Sequence, residues 1–303
     1  MDTRYHIDLR TIHPTTADIA AADEILILAY DGERSRAVDL QRYLALQPDG
    51  LVLAMLDGAP VGVGGVFDYG PFASLGLMAV HPTAQRQGVG AAILAHLLQL
   101  LDGRSYSCVV LEATEAGAVL YKHFGFIDDG ITLVFRQDAA TREGPASAPA
   151  EDKSSAPAAG YGRAASCLSI APFIAGDLPA LVAFDAPLFG AARPLVLGAY
   201  LSADPSRTVV AREIAGYLCA QQRILGPWMA EDPTVAVALL AAVQDLSYPE
   251  GIISIVPDTT TDAAAVLGPA GLTPKGHLRT MRRGNPRPGR PGAVYGQASF
   301  ALG

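Results

Sequence analysis

Residues 75–94 read LGLMAVHPTAQRQGVGAAIL, an order suited to holding a phosphorylated ligand. An apolar strand pattern ends at Val80, a short turn follows, and Gly88 and Gly90 open a helix. The apolar residues Val89, Ile93, Leu94, Leu97, Leu98 and Leu101 keep helical spacing. The first N–H groups of a helix have no partners within it, and the helix dipole adds partial positive charge there. Glycine lets the backbone approach phosphate oxygens without a Cβ in the way. Arg86 brings a formal positive charge, and successive exposed N–H groups in such a loop form an anion nest. This is the chemistry of a pyrophosphate cradle. The spacing is neither the G-x-G-x-x-G of a dinucleotide fold nor the G-x-x-x-x-G-K-[ST] of a P-loop. Taken alone, a Gly-Val-Gly helix start could also serve only tight packing.

A second stretch, residues 111–126, reads LEATEAGAVLYKHFGF: a strand, a helix carrying Leu120-Tyr121, then Gly125-Phe126. A phenol with a pKa near 10 is protonated at neutral pH and can donate a proton. The competing role for Tyr121 is an amphipathic ring packed at a helix end.

The two stretches resemble the GNAT acetyltransferase superfamily. Its acyl-CoA-binding motif, Q/R-x-x-G-x-G/A, stands here as Gln85-Arg86-Gln87-Gly88-Val89-Gly90, with the strand before it and the amphipathic helix after it in place. The resemblance implies acetyl-CoA as acyl donor, entering between the Ser74–Val80 and Ser107–Glu112 strands where they splay. It implies that Met78, Ala79 and Val80 hold the pantetheine and polarise the thioester carbonyl through backbone N–H groups. It implies direct attack by a substrate amine, with Tyr121 protonating the departing thiolate and no metal required. Thr114 stands where many relatives have Asn, so hydrogen bonding around the pantetheine is expected to differ. Glu112 could accept a proton through water, but a carboxylate favouring the start of the next helix is the preferred reading. His81 and His123 flank the motifs and are given no role. Cys108, Cys167 and Cys219 lie outside them, match no metal or disulfide pattern, and fit direct transfer.

These groups need a scaffold, and the N-terminal half reads as α/β. A strand near Tyr5–Leu9 precedes helix patterns at Thr16–Tyr30 and Arg34–Leu46. Leu51–Leu56 and Val61–Phe67 form a hairpin pattern around Asp57-Gly58, followed by Ser74–Val80, the Gly88–Leu101 helix, Ser107–Glu112, the Glu115–Phe124 helix and a closing strand at Ile131–Arg136. The C-terminal half repeats that order. Arg207–Arg212 and Gly216–Gln221 echo the hairpin, and Arg223–Ala230 the strand before the main helix. Gly251–Val256, Thr261–Leu267 and His277–Arg283 echo the last strand, helix and closing strand. The expected fold is therefore mixed α/β: two tandem GNAT-like domains, each a mostly antiparallel sheet flanked by helices. The expected boundaries are 1–137 for the first domain, 138–163 for an Ala/Pro/Ser-rich linker, and 164–303 for the second domain with a docking tail after the NPRPGRPG stretch (285–292).

The second copy has lost the cradle. LGPWMAEDPTVAVALL stands where the first has its motif, with Glu231, Asp232 and Pro233 at the helix entry and Leu267 in place of the tyrosine. The whole chain resembles a tandem GNAT family with a complete first domain and a degenerate second. The second-half segments that carry this are Asp185–Arg193, Gly226-Pro227-Trp228, Met281–Gly284 and Val294-Tyr295-Gly296. Arg193 and Trp228 could touch substrate, but a helix cap or a salt bridge for Arg193 and core packing for Trp228 are the favoured roles.

Length and composition fit this reading. At roughly 100–200 residues per domain, 303 residues suggest two domains. With 50% hydrophobic and 17% charged residues, both halves can bury a core. A formal net charge of -8 disfavours nonspecific nucleic-acid or anionic-membrane binding, which needs a basic footprint. The expected protein is a cytoplasmic N-acetyltransferase acting on the amine of a small molecule, and a homodimer is compatible with it. The alternatives are a noncatalytic acyl-CoA-binding module and a protein N-acetyltransferase.

Overall fold

The computed structural model describes residues 6–30, 32, 34–101, 106–138 and 168–303. Tyr5, Cys167 and all of the expected linker except Asp138 lie outside the described residues. The first sequence copy forms β1 (Ile7–Thr11), α1 (Thr16–Ala29), α2 (Ala37–Leu46), β2 (Leu51–Leu56), β3 (Ala59–Asp68), β4 (Phe72–Val80), α3 (Val89–Leu101), β5 (Cys108–Ala113), α4 (Glu115–His123) and β6 (Ile127–Gln137). The second forms β7 (Ile170–Pro172), α5 (Leu178–Phe189), α6 (Pro194–Leu201), β8 (Thr208–Ala211), β9 (Gly216–Ala220), β10 (Leu225–Ala230), α7 (Pro233–Val243), β11 (Ile252–Pro257), α8 (Ala263–Leu267), β12 (Thr273–Gly284) and β13 (Val294–Gly296). The expected order is found in both copies. Ends move by a few residues: β1 begins at Ile7, and α2 begins at Ala37 rather than Arg34.

Local chemistry explains several of these elements. Asp57 and Gly58 both have positive φ (50° and 84°), the backbone of a type I′ turn, and Leu56 pairs with Ala59 across it. Thr15 caps α1 by accepting from the Asp18 N–H. Asp18 in turn grips Arg10 with two 2.7 Å hydrogen bonds, which hold its carboxyl down at about 2.

The chain divides into two compact units that are not continuous in sequence. Unit 1 is residues 1–130, 278–288 and 300–303; unit 2 is residues 131–277 and 289–299. The boundaries expected from sequence separate the two copies, but the closing strands trade places. In unit 1 the antiparallel run β1-β2-β3-β4 is followed by β5, parallel to β4. The Arg279–Gly284 part of β12, from the second copy, lies antiparallel along the other edge of β5. Met281 of that strand is fully buried in the unit 1 core, among Leu75, Ile93, Leu97 and Tyr121. In unit 2, β7-β8-β9-β10 form the antiparallel run, and Thr132–Gln137 of β6, from the first copy, lies along β11.

The unit 2 core gathers Leu218, Trp228, Leu239, Val256 and Tyr295. Trp228 is fully buried. Arg193, 3% exposed, makes two 2.9 Å hydrogen bonds to the buried Asp185, which also accepts from the Tyr217 hydroxyl, and its guanidinium lies over the Phe189 ring. Both residues therefore play the packing and salt-bridge roles favoured from sequence. Cys108 and Cys219 are buried, as expected for small apolar side chains. No single helix among the described residues is long and apolar enough to cross a membrane.

Candidate functional site

In unit 1, β4 and β5 pair only from Phe72–Cys108 to Leu75–Leu111. β4 continues to Val80 and β5 to Ala113, so the strands part at the point where the sequence placed a splay. A bulge lies immediately beyond. Gly76 pairs with Gly65 and Ala79 with Val63, so Leu77 and Met78 together oppose Gly64 alone. Leu77 takes φ 57°, a left-handed conformation rare for a leucine and typical of strained functional backbone. Crowding keeps Gly64 a glycine. A Cβ there would lie 2.4 Å from Ile93 and 2.8 Å from the Met78 sulfur.

The Gln85–Gly90 loop follows a single turn, Pro82–Ala84, capped by His81. Arg86 (φ 65°) and Gly88 (φ 85°) are both left-handed, so the backbone bends sharply twice before α3 begins. Gln85 Nε2 donates to the Val80 carbonyl at 3.3 Å and Gln87 Nε2 to the Thr83 carbonyl at 2.9 Å, so both side chains brace the loop. Arg86 is exposed. A Cβ on Gly88 would meet nothing within 4 Å, so the space before the helix is open, as a cradle requires. α3 begins at Val89, one residue later than expected. The first bond from its opening turn back to the loop is Ala92 N–H to Gly88 C=O. A Cβ on Gly90 would meet Leu120 and Val80 at ordinary contact distances, 3.4 and 3.7 Å.

Tyr121 lies in the last turn of α4 at 7% exposure, with its ring edge-on to Phe126 at 5.9 Å. Burial first, and the neighbouring Tyr30 second, push its hydroxyl pKa above the ordinary phenol value. Sequence reasoning missed Tyr30. It follows α1 directly, and its hydroxyl donates to the Met78 carbonyl in the bulge at 3.2 Å. Burial pushes its pKa up to about 12, against a smaller opposing effect of Arg36, while 42% of the residue stays accessible. A lone tyrosine before a loop carries no motif, and its partner is a backbone atom 48 residues away.

Thr114 caps α4: its Oγ1 accepts from the Gly117 N–H at 3.1 Å, which leaves its O–H available to donate. Glu112 accepts from the Thr280 hydroxyl on the exchanged strand at 3.2 Å. His81 is bonded to Thr83 and His123 to the Val119 carbonyl, in keeping with no assigned role.

In unit 2 the equivalent strands are β10 and β11, and Ile224, just before β10, forms a parallel bridge to Ile253 of β11. The opening beyond it is filled by the tail. β13 pairs with β10 at Trp228–Gly296 and Met229–Val294. On its other side Ser254 Oγ donates to the Tyr295 carbonyl at 2.6 Å, and the Gln297 N–H reaches the Ile255 carbonyl at 2.9 Å. The tail was expected to dock as a strand; its place between these two strands is a finding of the structure. A Cβ on Gly296 would lie 1.9 Å from the Leu225 carbonyl oxygen. Gly296→Ala is therefore expected to destabilise unit 2 by about 1–3 kcal/mol. The measurement is the chemical-denaturation midpoint, and an unshifted midpoint would mean the tail is not seated there.

Unit 1 thus carries a strand splay with a bulge, a left-handed loop opening a helix, and a buried tyrosine on α4. Two family profiles, each described as an Acetyltransferase (GNAT) domain, match residues 47–128 and 181–296. The chain belongs to the GNAT acetyltransferase superfamily, as a tandem of two such domains. A Pyrococcus horikoshii structure assigned provisionally as an acetyltransferase is 25% identical with a TM-score of 0.80. The match covers 100% of this chain and 99% of that one. A GCN5-related N-acetyltransferase from Sphaerobacter thermophilus (16% identity, TM-score 0.65, 93% and 96% covered) shares the fold. So does a tandem GNAT protein from the clavulanic acid biosynthesis pathway (15%, 0.59, 91% and 98%). No curated protein sequence matches this chain. GNAT domains use acetyl-CoA as donor and act on an amine acceptor, so the chain is an acyl-CoA N-acyltransferase.

Proposed function

We propose that unit 1 transfers an acetyl group from acetyl-CoA to the amine of a small molecule by direct attack. The observation that carries this reading is the coincidence at one place of the β4–β5 splay, the Leu77–Met78 bulge and the Tyr121 hydroxyl region. Backbone N–H groups of Met78, Ala79 and Val80 would lie along the pantetheine and polarise the thioester carbonyl. Arg86 and the N–H groups of Gln87, Gly88, Val89 and Gly90 would face the pyrophosphate, with Gln85 bracing the loop. Tyr121 would hydrogen-bond to the departing sulfur and protonate it. Thr114 supports the site through the position of α4. Cys108 fits no acyl-carrier role: it lies at the paired end of the strands, and burial pushes its thiol above its usual pKa, away from the nucleophilic thiolate.

A thiol-release assay with acetyl-CoA across small amines and peptide N-termini tests the reading. The expected result is CoA release with a small amine. Release with peptides alone would make the chain a protein N-acetyltransferase, and acetyl-CoA binding without release would make it a binding module. Gly88→Glu adds a like charge facing the phosphates and a side chain at a left-handed position. It should weaken acetyl-CoA binding at least tenfold, about 1.4 kcal/mol. Unchanged calorimetric affinity in the folded variant would overturn the loop assignment.

A further inference from the structure

Among the described residues, the Arg36 guanidinium has no carboxylate partner. Its Nη1 is buried and has no hydrogen-bond partner among the described residues. Several other guanidinium groups in unit 1 are paired: Arg10 with Asp18, Arg279 with Glu115 and Asp128, Arg282 with Asp129. The acid beside Arg36 is already engaged. Asp23 Oδ1 accepts the Arg36 backbone N–H at 2.5 Å, and Oδ2 accepts the Ser35 hydroxyl at 2.7 Å. A buried guanidinium N–H with no acceptor is costly, so its retention calls for an explanation.

Its position supplies one. The Arg36 guanidinium lies 5.3 Å from the centroid of the Tyr30 ring, and the Tyr30 hydroxyl is 3.2 Å from the Met78 carbonyl in the bulge. Arg36 therefore stands one aromatic ring away from the backbone where the thioester would be held. A guanidinium against an aromatic ring can still present N–H groups in a fork that matches a carboxylate. We propose that Arg36 binds a carboxylate on the acceptor, so that the substrate is a short amino acid: an amine directed at the thioester and a carboxylate held over Tyr30. This rests on the donor-site reading above.

The test uses the full chain, acetyl-CoA, and a panel of α- and ω-amino acids, each beside its carboxamide, with simple diamines as the third arm. The carboxylates should exceed their carboxamides at least tenfold in kcat/KM, mainly through KM. Arg36→Met should bring that ratio close to one, and Arg36→Lys should restore part of it. A ratio near one in the wild type, diamines as the preferred acceptors, or equal loss for acids and carboxamides in Arg36→Met would overturn the proposal and leave acetyl transfer intact. No turnover with any amine would overturn the small-amine reading and this proposal with it.

Discussion

Tyr121→Phe is expected to lower turnover by about 10²–10⁴-fold, the usual cost of losing a positioned proton donor, while acetyl-CoA affinity stays close to wild type. The substitution removes one oxygen and keeps the ring. The edge-on contact with Phe126 and the place of Tyr121 in the core should therefore survive, and loss of rate cannot be traded for loss of fold. The affinity should hold because the diphosphate and pantetheine would be met by the loop and by β4 backbone, not by the phenol. The pH dependence follows from the direction of the shift. Burial raises the Tyr121 pKa, so the hydroxyl stays protonated through the neutral and mildly alkaline range. A falling alkaline limb in kcat should then lie above the ordinary phenol value of about 10. The same sign holds for stability. A pKa raised by folding leaves the folded state's advantage intact below about 10, to be lost only as pH rises beyond that. The raised value also makes the phenol a weaker acid than a free tyrosine, so its contribution is a hydrogen bond that strengthens as charge builds on the sulfur. Wild-type turnover in Tyr121→Phe, measured with an accepted amine, would move the proton donor elsewhere.

What could be read from sequence was local chemistry. The Asp57-Gly58 turn, the Gln85–Gly90 loop, the spacing of α3 and the Asp232-Pro233 helix entry depend on a few adjacent residues whose backbone preferences are strong. The exchange of closing strands was not legible. Ile127–Gln137 and Thr273–Gly284 are both long segments that read locally as strands, and nothing in either encodes which β5-like edge it will pair with. That choice depends on contacts such as Met281 in the unit 1 core, made across more than 150 residues of chain. The bulge was hidden for a different reason. Its left-handed residue is Leu77, where a glycine would have signalled a turn. Tyr30 and Arg36 escaped notice because each matters through one long-range contact. The cap that Thr114 supplies to α4 was legible in principle, since a threonine just before a helix is a favoured N-cap.

Each chain is expected to bind one equivalent of acetyl-CoA, although it carries two copies of the fold. Loss of the cradle in unit 2 is the first reason. Asp232 Oδ1 already accepts the N–H groups of Thr234 and Val235, at 2.8 and 3.0 Å, the donors an incoming phosphate would need. Glu231 and Asp232 also place carboxylates at the entry, and Pro233 contributes no N–H. The second reason is steric and lies in the slot itself. The opening between β10 and β11 is bridged by β13, with Tyr295 buried and the Gly296 backbone too close to Leu225 for even a Cβ. A pantetheine would have to displace paired backbone, whereas at the β4–β5 splay the parallel pairing stops at Leu75–Leu111. The strand exchange dictates how this must be measured. A C-terminal fragment would lack β6, the partner of β11, so calorimetry belongs on the full chain. Titration should saturate near one equivalent, and in Gly88→Glu the same titration should show the single site weakened with no second site emerging. Saturation near two equivalents, or an unweakened site remaining in Gly88→Glu, would place a working donor slot in unit 2.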